Sequence, residues 1–278
     1  MVRETGPASD AVPNLVNLLP SVRAMPLADD APRIGVLALQ GAFVEHANAL
    51  GQLGARVSEV RQVAQLSDDL DGLVIPGGES TTMAIVARTL NMVEPLQAFV
   101  RSGRPVFGTC AGLIFLSDRA TGQKIGGQSV LGGLDVTTHR NFFGSQIESA
   151  ERPVELCGAL APGKGKGKAI VAVPFRHAFI RAPAVIHAGD GVQVLATLAA
   201  DPREQALLEE QHQKGGLHAG DATRVIVGVQ QGSLLATAFH PELTEDLGWH
   251  EHFLRMVSEH AASKQREGSA SKRKRAAK

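Results

Sequence analysis

Pro105-Val-Phe-Gly-Thr-Cys-Ala-Gly-Leu-Ile-Phe-Leu-Ser117 carries the reading of the fold. Its opening Pro105-Val-Phe107 is a short apolar run of the kind buried on both faces of a parallel sheet, and helical character begins at Ala111. Between them Gly108-Thr-Cys-Ala-Gly112 turns the chain from strand to helix within five residues. In such a Gly-x-Cys-x-Gly turn the central residue is strained, so its neighbours must be small, and its side chain projects above the carboxyl edge of the sheet. A helix N-terminus behind Cys110 favours a thiolate, and the backbone N–H of Ala111 points where an oxyanion would form. A buried structural cysteine fits the same five residues.

Outward from this stretch, apolar runs alternate with helical segments. Ile34 to Leu39, Arg56 to Val60 and Gly72 to Ile75 read as strands; Ala42 to about Gly51–Gly54, Thr81 to Leu90 and Pro95 to Arg101 read as helices. The second half is richer in strands, at Val171 to Val173, Ala178 to Ile180, Val192 to Leu198, Arg224 to Val229 and Leu234 to Ala238, before a last helix over Leu247 to His260. The expected fold is α/β: a three-layer, flavodoxin-like arrangement with a mainly parallel central sheet flanked by helices. Residues 33–262 form the domain. Residues 1–32, with five Pro, read as a flexible extension without a signal or transit pattern, and residues 263–278 as a disordered basic tail ending in Lys272-Arg-Lys-Arg275. Two stretches read as surface-loop insertions, about 161–169 with Pro162-Gly-Lys-Gly-Lys-Gly-Lys168, and 200–223 with Gly215-Gly216. The Gly-Lys run lacks the frame of a phosphate loop.

Composition narrows the function. Of 278 residues, 28 are Lys or Arg and 28 are Asp or Glu, which removes any global electrostatic reason to expect nucleic acid or an anionic membrane as partner. No apolar stretch approaches the ~18 residues of a membrane span. Two cysteines, Cys110 and Cys157, are too few for a disulfide framework and suit a reduced, cytoplasmic setting, with the basic tail leaving a nuclear pool as a second reading.

A cysteine nucleophile needs a base. At a distance of 130 residues downstream, Phe239-His-Pro-Glu242 follows the strand ending at Ala238, so His240 can reach the end of a neighbouring strand while Glu242 holds its other nitrogen. The other nine histidines read as ordinary core or surface residues; His250 and His252 flank Glu251 without the spacing of a zinc site, and no metal or cofactor is indicated. Ile75-Pro-Gly-Gly-Glu-Ser-Thr-Thr82 places two glycines after a buried strand and so can present N–H groups at the same sheet edge, although a plain turn reads the same way.

Taken together these segments resemble the class I (triad-type) glutamine amidotransferases, and within them the glutaminase subunits of pyridoxal 5'-phosphate synthase. The likeness is carried in order by Ile34-Gly-Val-Leu-Ala-Leu-Gln-Gly41, Leu73-Val-Ile-Pro-Gly-Gly-Glu-Ser-Thr-Thr-Met83, Phe107-Gly-Thr-Cys-Ala-Gly-Leu-Ile114, Arg140-Asn-Phe-Phe-Gly-Ser-Gln146, Phe179-Ile-Arg-Ala-Pro183 and Phe239-His-Pro-Glu-Leu-Thr-Glu-Asp246. The resemblance implies hydrolysis of L-glutamine to glutamate and ammonia, with Cys110, His240 and Glu242 as the triad and Gly78 and Ala111 as oxyanion donors. It implies that Gly78, Glu79, Ser80, Arg140, Ile180 and Arg181 contact the substrate, and that ammonia passes to a (β/α)8-barrel synthase subunit within a hetero-oligomer. Phe142 stands where the family often has a small polar residue, and would either tighten the pocket or pack beside it. Other classes remain open at this level: a glutaminase of another amidotransferase system, a cysteine peptidase or amidase on a related scaffold, or a catalytically silent binding protein.

Overall fold

Burial on both faces selects the centre of the sheet. The computed structural model describes residues 30–122, 130–144, 150–157, 160, 176–179, 182–215 and 222–276. In the first half β1 (Arg33–Leu37), α1 (Phe43–Gln52), β2 (Arg56–Val60), β3 (Gly72–Ile75), α2 (Ser80–Thr89), α3 (Val93–Arg101), β4 (Val106–Thr109) and α4 (Ala111–Leu116) follow the alternation expected from the apolar runs. The second half contains β5 (Ser117–Thr121), β6 (Leu134–His139), β7 (Ala150–Pro153), β8 (Glu155–Leu156), β9 (Arg176–Phe179), β10 (Ala184–Ala188) and β11 (Gln193–Ala199), then α5 (Pro202–Gly215), β12 (Arg224–Gln231), β13 (Leu234–Thr237) and α6 (Gly248–Ala276).

The main sheet runs β2-β1-β3-β4-β13-β12-β10-β6-β5, with β11 on β12 and β8 on β11. From β2 to β13 every pairing is parallel. Beyond β13 the strands β12, β10, β6 and β11 join antiparallel, β5 closes the edge parallel to β6, and β7 and β9 form a separate two-stranded ribbon. Every residue of β3, β4 and β13 is buried, as sheet strands covered on both faces must be. The register of β4 on β13 sets Thr109 opposite Thr237. The segments that leave those two strand ends, Cys110 on one side and Ala238-Phe239-His240 on the other, therefore start side by side at one sheet edge.

Helix α4 can lie close to the sheet only because glycines face it. A Cβ on Gly112 would stand 2.1 Å from the carbonyl oxygen of Ile75, and one on Gly108 would stand 2.7 Å from the backbone of Gly112. These contacts explain both glycines of the Gly-x-Cys-x-Gly turn in terms of helix-on-sheet distance.

Two expectations are corrected. Residues 200–223 are not simply a surface loop: α5 occupies Pro202–Gly215 and buries Glu204, Leu208 and His212, three positions four apart on one helical face. Its polar appearance misled because two of the three inward residues are polar but partnered. Glu204 forms an ion pair with Arg152, and His212 Nε2 lies 2.9 Å from the carbonyl of Ile186. The basic tail is not without structure either, since α6 continues to Ala276, its Lys, Arg, Gln and Ala residues favouring helix despite Gly268 and three serines. Residues 1–29, the Gly-Lys run and the strand expected at Val171 to Val173 lie outside the described residues.

Gly112→Ala is expected to destabilise the fold by about 2 kcal/mol or more, because the obstruction is backbone and no rotamer relieves it. A denaturant midpoint measured against Gly51→Ala, where an added Cβ meets nothing within 4 Å, checks the expectation.

Candidate active site

Cys110 sits between β4 and α4 at φ 47°, ψ −99°, a left-handed conformation that costs a non-glycine residue about 1–3 kcal/mol. Its N–H donates to the carbonyl of Thr237 at 2.8 Å, which ties the turn to the end of β13. The thiol is mostly buried. Helix α4 is only six residues long, so the helix dipole expected behind Cys110 is small, and the nearby imidazole is the stronger positive neighbour.

That imidazole is His240. It leaves β13 behind Phe239, whose buried ring is held edge-on between Trp249 at 5.5 Å and Phe179 at 5.9 Å. His240 Nδ1 and Glu242 Oε1 are 2.7 Å apart, and His240 also hydrogen-bonds the Cys110 side chain. Since Nδ1 is committed to Glu242, Nε2 is the nitrogen available to the sulfur. Burial by itself pulls the pKa of His240 down, but hydrogen bonds to Cys110 and Glu242, with the negative charge of both, outweigh it and raise the value to about 10. His240 is therefore an imidazolium at neutral pH.

The glycine loop closes the third side. Gly78 has φ 154°, and a Cβ there would collide with the Gln40 amide at 2.5 Å; a Cβ on Gly77 would reach His240 Cε1 at 2.1 Å. The loop is pinned by Ala42 N–H donating to the Gly77 carbonyl at 3.2 Å and by Glu79 N–H donating to Gln40 Oε1 at 3.1 Å. Gln40 was not singled out from sequence; its sign was a polar residue directly after an apolar strand. Ala111 is the first residue of α4, so its N–H has no acceptor within the helix.

A cleft of about 200 Å³ opens over the sulfur, lined by Gly78, Glu79, Ser80, Cys110, Arg140 and His240, with Ile114, Asn141 and Pro183 completing it. Arg140 donates to Thr81 Oγ1 at 3.0 Å and pairs with Glu79 Oε1 at 3.5 Å. Glu79 also caps α2, accepting from the N–H groups of Thr81 and Thr82 at 3.1 and 2.6 Å. Its slight burial acts to raise the carboxyl pKa, and these hydrogen bonds more than reverse that, leaving it below the usual value. Phe142 does not line the cleft. It packs beside it, against Phe143 at 5.2 Å and His139 at 6.0 Å. Ile180 and Arg181 lie outside the described residues. Cys157 is far from this chemistry in kind, its thiol donating weakly to its own strand neighbour Glu155. Among the described residues no cluster of three or more His, Cys, Asp or Glu could hold a metal ion, and no helix is long and apolar enough to cross a membrane.

A parallel-sheet α/β fold that sets a thiol beside a carboxylate-bound imidazole, over a cleft of amino-acid size, is the arrangement of the class I glutamine amidotransferases. The chain belongs to the SNO glutamine amidotransferase family, whose model matches residues 36–259. It is 50% identical over 226 residues to a probable pyridoxal 5'-phosphate synthase subunit PDX2 of Arabidopsis thaliana, covering 81% of this chain and 86% of the relative. It is 46% identical over 228 residues to pyridoxal 5'-phosphate synthase subunit PdxT of Parafrankia sp. (strain EAN1pec), covering 82% and 94%. A crystal structure of a glutamine amidotransferase superposes with a TM-score of 0.61 at 38% identity, over 81% of this chain and 98% of that one.

The raised pKa of His240 carries a testable sign. Stabilisation of the folded state by its partners is complete below the ordinary value of 6.5 and fades as pH climbs through about 10. In Cys110→Ala the sulfur's hydrogen bond and charge are gone, so the His240 titration midpoint, followed by NMR of the ring, should fall below its wild-type value. An unchanged midpoint would show that the two side chains are not paired.

Proposed function

We propose that this chain hydrolyses L-glutamine to glutamate and ammonia as the glutaminase of a pyridoxal 5'-phosphate synthase. The observation that carries the reading is the pairing of His240 with both Cys110 and Glu242 beneath a small polar cleft. In the proposed reaction, with the thiol proton passed to His240, Cys110 Sγ attacks the side-chain amide carbon, and the resulting oxyanion is stabilised by the N–H groups of Gly78 and Ala111, each donor worth roughly 3 kcal/mol. Collapse breaks the C–N bond as His240 Nε2 gives its proton to the departing ammonia. His240 then takes a proton from water, whose oxygen attacks the thioester carbonyl; glutamate leaves and the sulfur regains its negative charge.

Glu79, Ser80 and Arg140 would hold the amino and carboxylate ends of glutamine, joined by Ile180 and Arg181 on the strength of the family resemblance. The mutual pairing of Arg140 and Glu79 supports this, because a zwitterion offers each of them an opposite charge. The size of the cleft favours a free amino acid over a polypeptide, which sets the peptidase reading behind the glutaminase one.

Ammonia would pass to a (β/α)8-barrel synthase subunit in a hetero-oligomer working in the cytosol. The exposed apolar side chains of Val44, Ile85 and Leu243 stand on α1, on α2 and just past His240, elements that frame the cleft, and suit a docked protein. Docking would reset the peptides of Pro76 to Glu79 and so gate the oxyanion site.

Glutamate release, measured with and without a cognate synthase subunit, tests the whole reading. The complex should exceed the isolated chain, and Cys110→Ala should lose on the order of 10⁴-fold or more of the rate. A glutamine-like alkylating agent should label Cys110 and spare Cys157. Equal rates with and without the subunit would overturn the gating, and turnover of peptides by the isolated chain would replace the glutaminase reading with the peptidase one.

A further inference from the structure

Behind Glu242, on the side away from His240, lies a pair of imidazoles that the proposed reaction does not use. His46 on α1 and His250 on α6 are fully buried. His46 Nδ1 and His250 Nε2 are 2.9 Å apart. The other nitrogen of His46 is 3.1 Å from Thr109 Oγ1 and 3.3 Å from Glu242 Oε2. His46 therefore touches the residue before the nucleophile and the carboxylate that holds the base. Among the described residues Glu242 Oε2 has no well-formed hydrogen bond, and the 3.3 Å approach of His46 Nε2 is a polar contact beside the one to Thr109.

Both rings are neutral. Burial, helped by the neighbouring imidazoles of His250 and His240, holds His46 well below the ordinary histidine value, and burial brings His250 down to about 4. The titratable groups facing His46 are Glu242 and His240 from the turn after β13 and His250 from α6; β4 contributes Thr109 and the edge-on ring of Phe107. Since the imidazolium of His240 already occupies Oε1, a second cation on the same carboxylate is not required.

Two neutral rings sharing one hydrogen bond allow two tautomer chains. In the first, His46 Nδ1–H donates to His250 Nε2. That leaves a buried N–H at His250 Nδ1, which has no acceptor, and, although the Thr109 hydroxyl could then donate to His46 Nε2, it sets that ring nitrogen's lone pair beside a carboxylate oxygen. In the second, His250 Nε2–H donates to His46 Nδ1, and His46 Nε2–H donates to Thr109 Oγ1 with Glu242 Oε2 beside it at 3.3 Å. The unpaired atoms of the group, His250 Nδ1 and Glu242 Oε2, are then both acceptors. An unpaired buried donor and a lone pair against a carboxylate both cost more than a bare ring nitrogen, so the second chain prevails.

We propose that His46 is a positioning residue of the triad, its Nε2–H fixed in place by His250 and Thr109 so that the edge of the ring braces Glu242 Oε2 and Oε1 stays on His240. The carboxylate is thereby hydrogen-bonded at Oε1 and braced by a polar contact at Oε2, which opposes its rotation as the proton moves. This inference rests on the assignment of Glu242 as the group that orients His240.

The test uses the full chain with its synthase subunit. His46→Leu removes the donor, His46→Gln keeps an amide N–H of similar reach, and Glu242→Gln probes the underlying assignment. The expected result is a roughly tenfold lower kcat for His46→Leu, the order of one lost polar contact to a charged group, with KM for glutamine unchanged and most of the rate restored in His46→Gln. The His240 titration midpoint should also fall in His46→Leu. Equal impairment of the Leu and Gln variants with an unmoved His240 midpoint would reduce His46 to a packing role and overturn the proposal. A wild-type rate for His46→Leu beside a crippled Glu242→Gln would overturn it alone, whereas an unimpaired Glu242→Gln would overturn the triad assignment itself. Should His46→Leu fail to fold, the ring ¹⁵N spectrum of the wild-type chain decides: His46 protonated at Nε2 supports the proposal, and protonation at Nδ1 overturns it.

Discussion

The left-handed backbone of Cys110 is the constraint around which the molecule is arranged. Such a conformation persists in a residue with a side chain only when its surroundings over-determine it. Here the N–H of Cys110 is fixed to the Thr237 carbonyl, its own carbonyl accepts from Ile114 in the first turn of α4, and the helix is pressed onto β3 at Gly112 so tightly that no side chain fits between. A relaxed backbone at this residue would release all three contacts together. The strain is thus compensated by hydrogen bonding and burial elsewhere, and its effect is to lift one sulfur clear of the sheet edge.

Register then does what distance along the chain cannot. Cys110 and His240 come from segments 130 residues apart, yet the parallel pairing of β4 with β13 brings Thr109 opposite Thr237 and delivers both side chains to one place. The aromatic stack of Trp249, Phe239 and Phe179 fixes the main chain just before His240, leaving the imidazole little freedom except about its own bonds. Electrostatics completes the set. In a buried site the hydrogen bonds and charges that Cys110 and Glu242 offer the imidazolium together outweigh the cost of burying it.

Much of this was legible in the sequence because it is local. Gly-x-Cys-x-Gly after a buried run, His-Pro-Glu after another, and two glycines after a third each encode a strand end and the group presented there. What escaped reading was set by pairing across the fold. His46 looked like an ordinary histidine of an amphipathic helix, and its burial against His250 and Glu242 depends on α1, α6 and the turn after β13 meeting, which no spacing announces. Helix α5 was missed for a different reason. Asp201-Pro-Arg-Glu204 is a capping box with Pro at the first helical position, Asp201 and Glu204 exchanging hydrogen bonds of 2.9 and 2.8 Å, but the inward Glu and His hid the apolar period by which helices are usually recognised.

The cleft itself is nearly neutral, and that shapes how it can select a substrate. Arg140 and Glu79 already satisfy each other and the threonines of α2, so on the proposed reading an incoming zwitterion would exchange one ion pair for two instead of filling unpaired charges. Such an exchange yields little net affinity, because the charges were never bare, but it penalises any ligand that carries only one of the two groups. An amine without its carboxylate would leave Arg140 unpaired while engaging Glu79, and a carboxylate without its amine would do the reverse. On the proposed reading, discrimination for a free α-amino acid thus follows from the pre-existing pair more than from the shape of the walls, and the small volume over Cys110 then limits the length of the side chain that can present an amide to the sulfur.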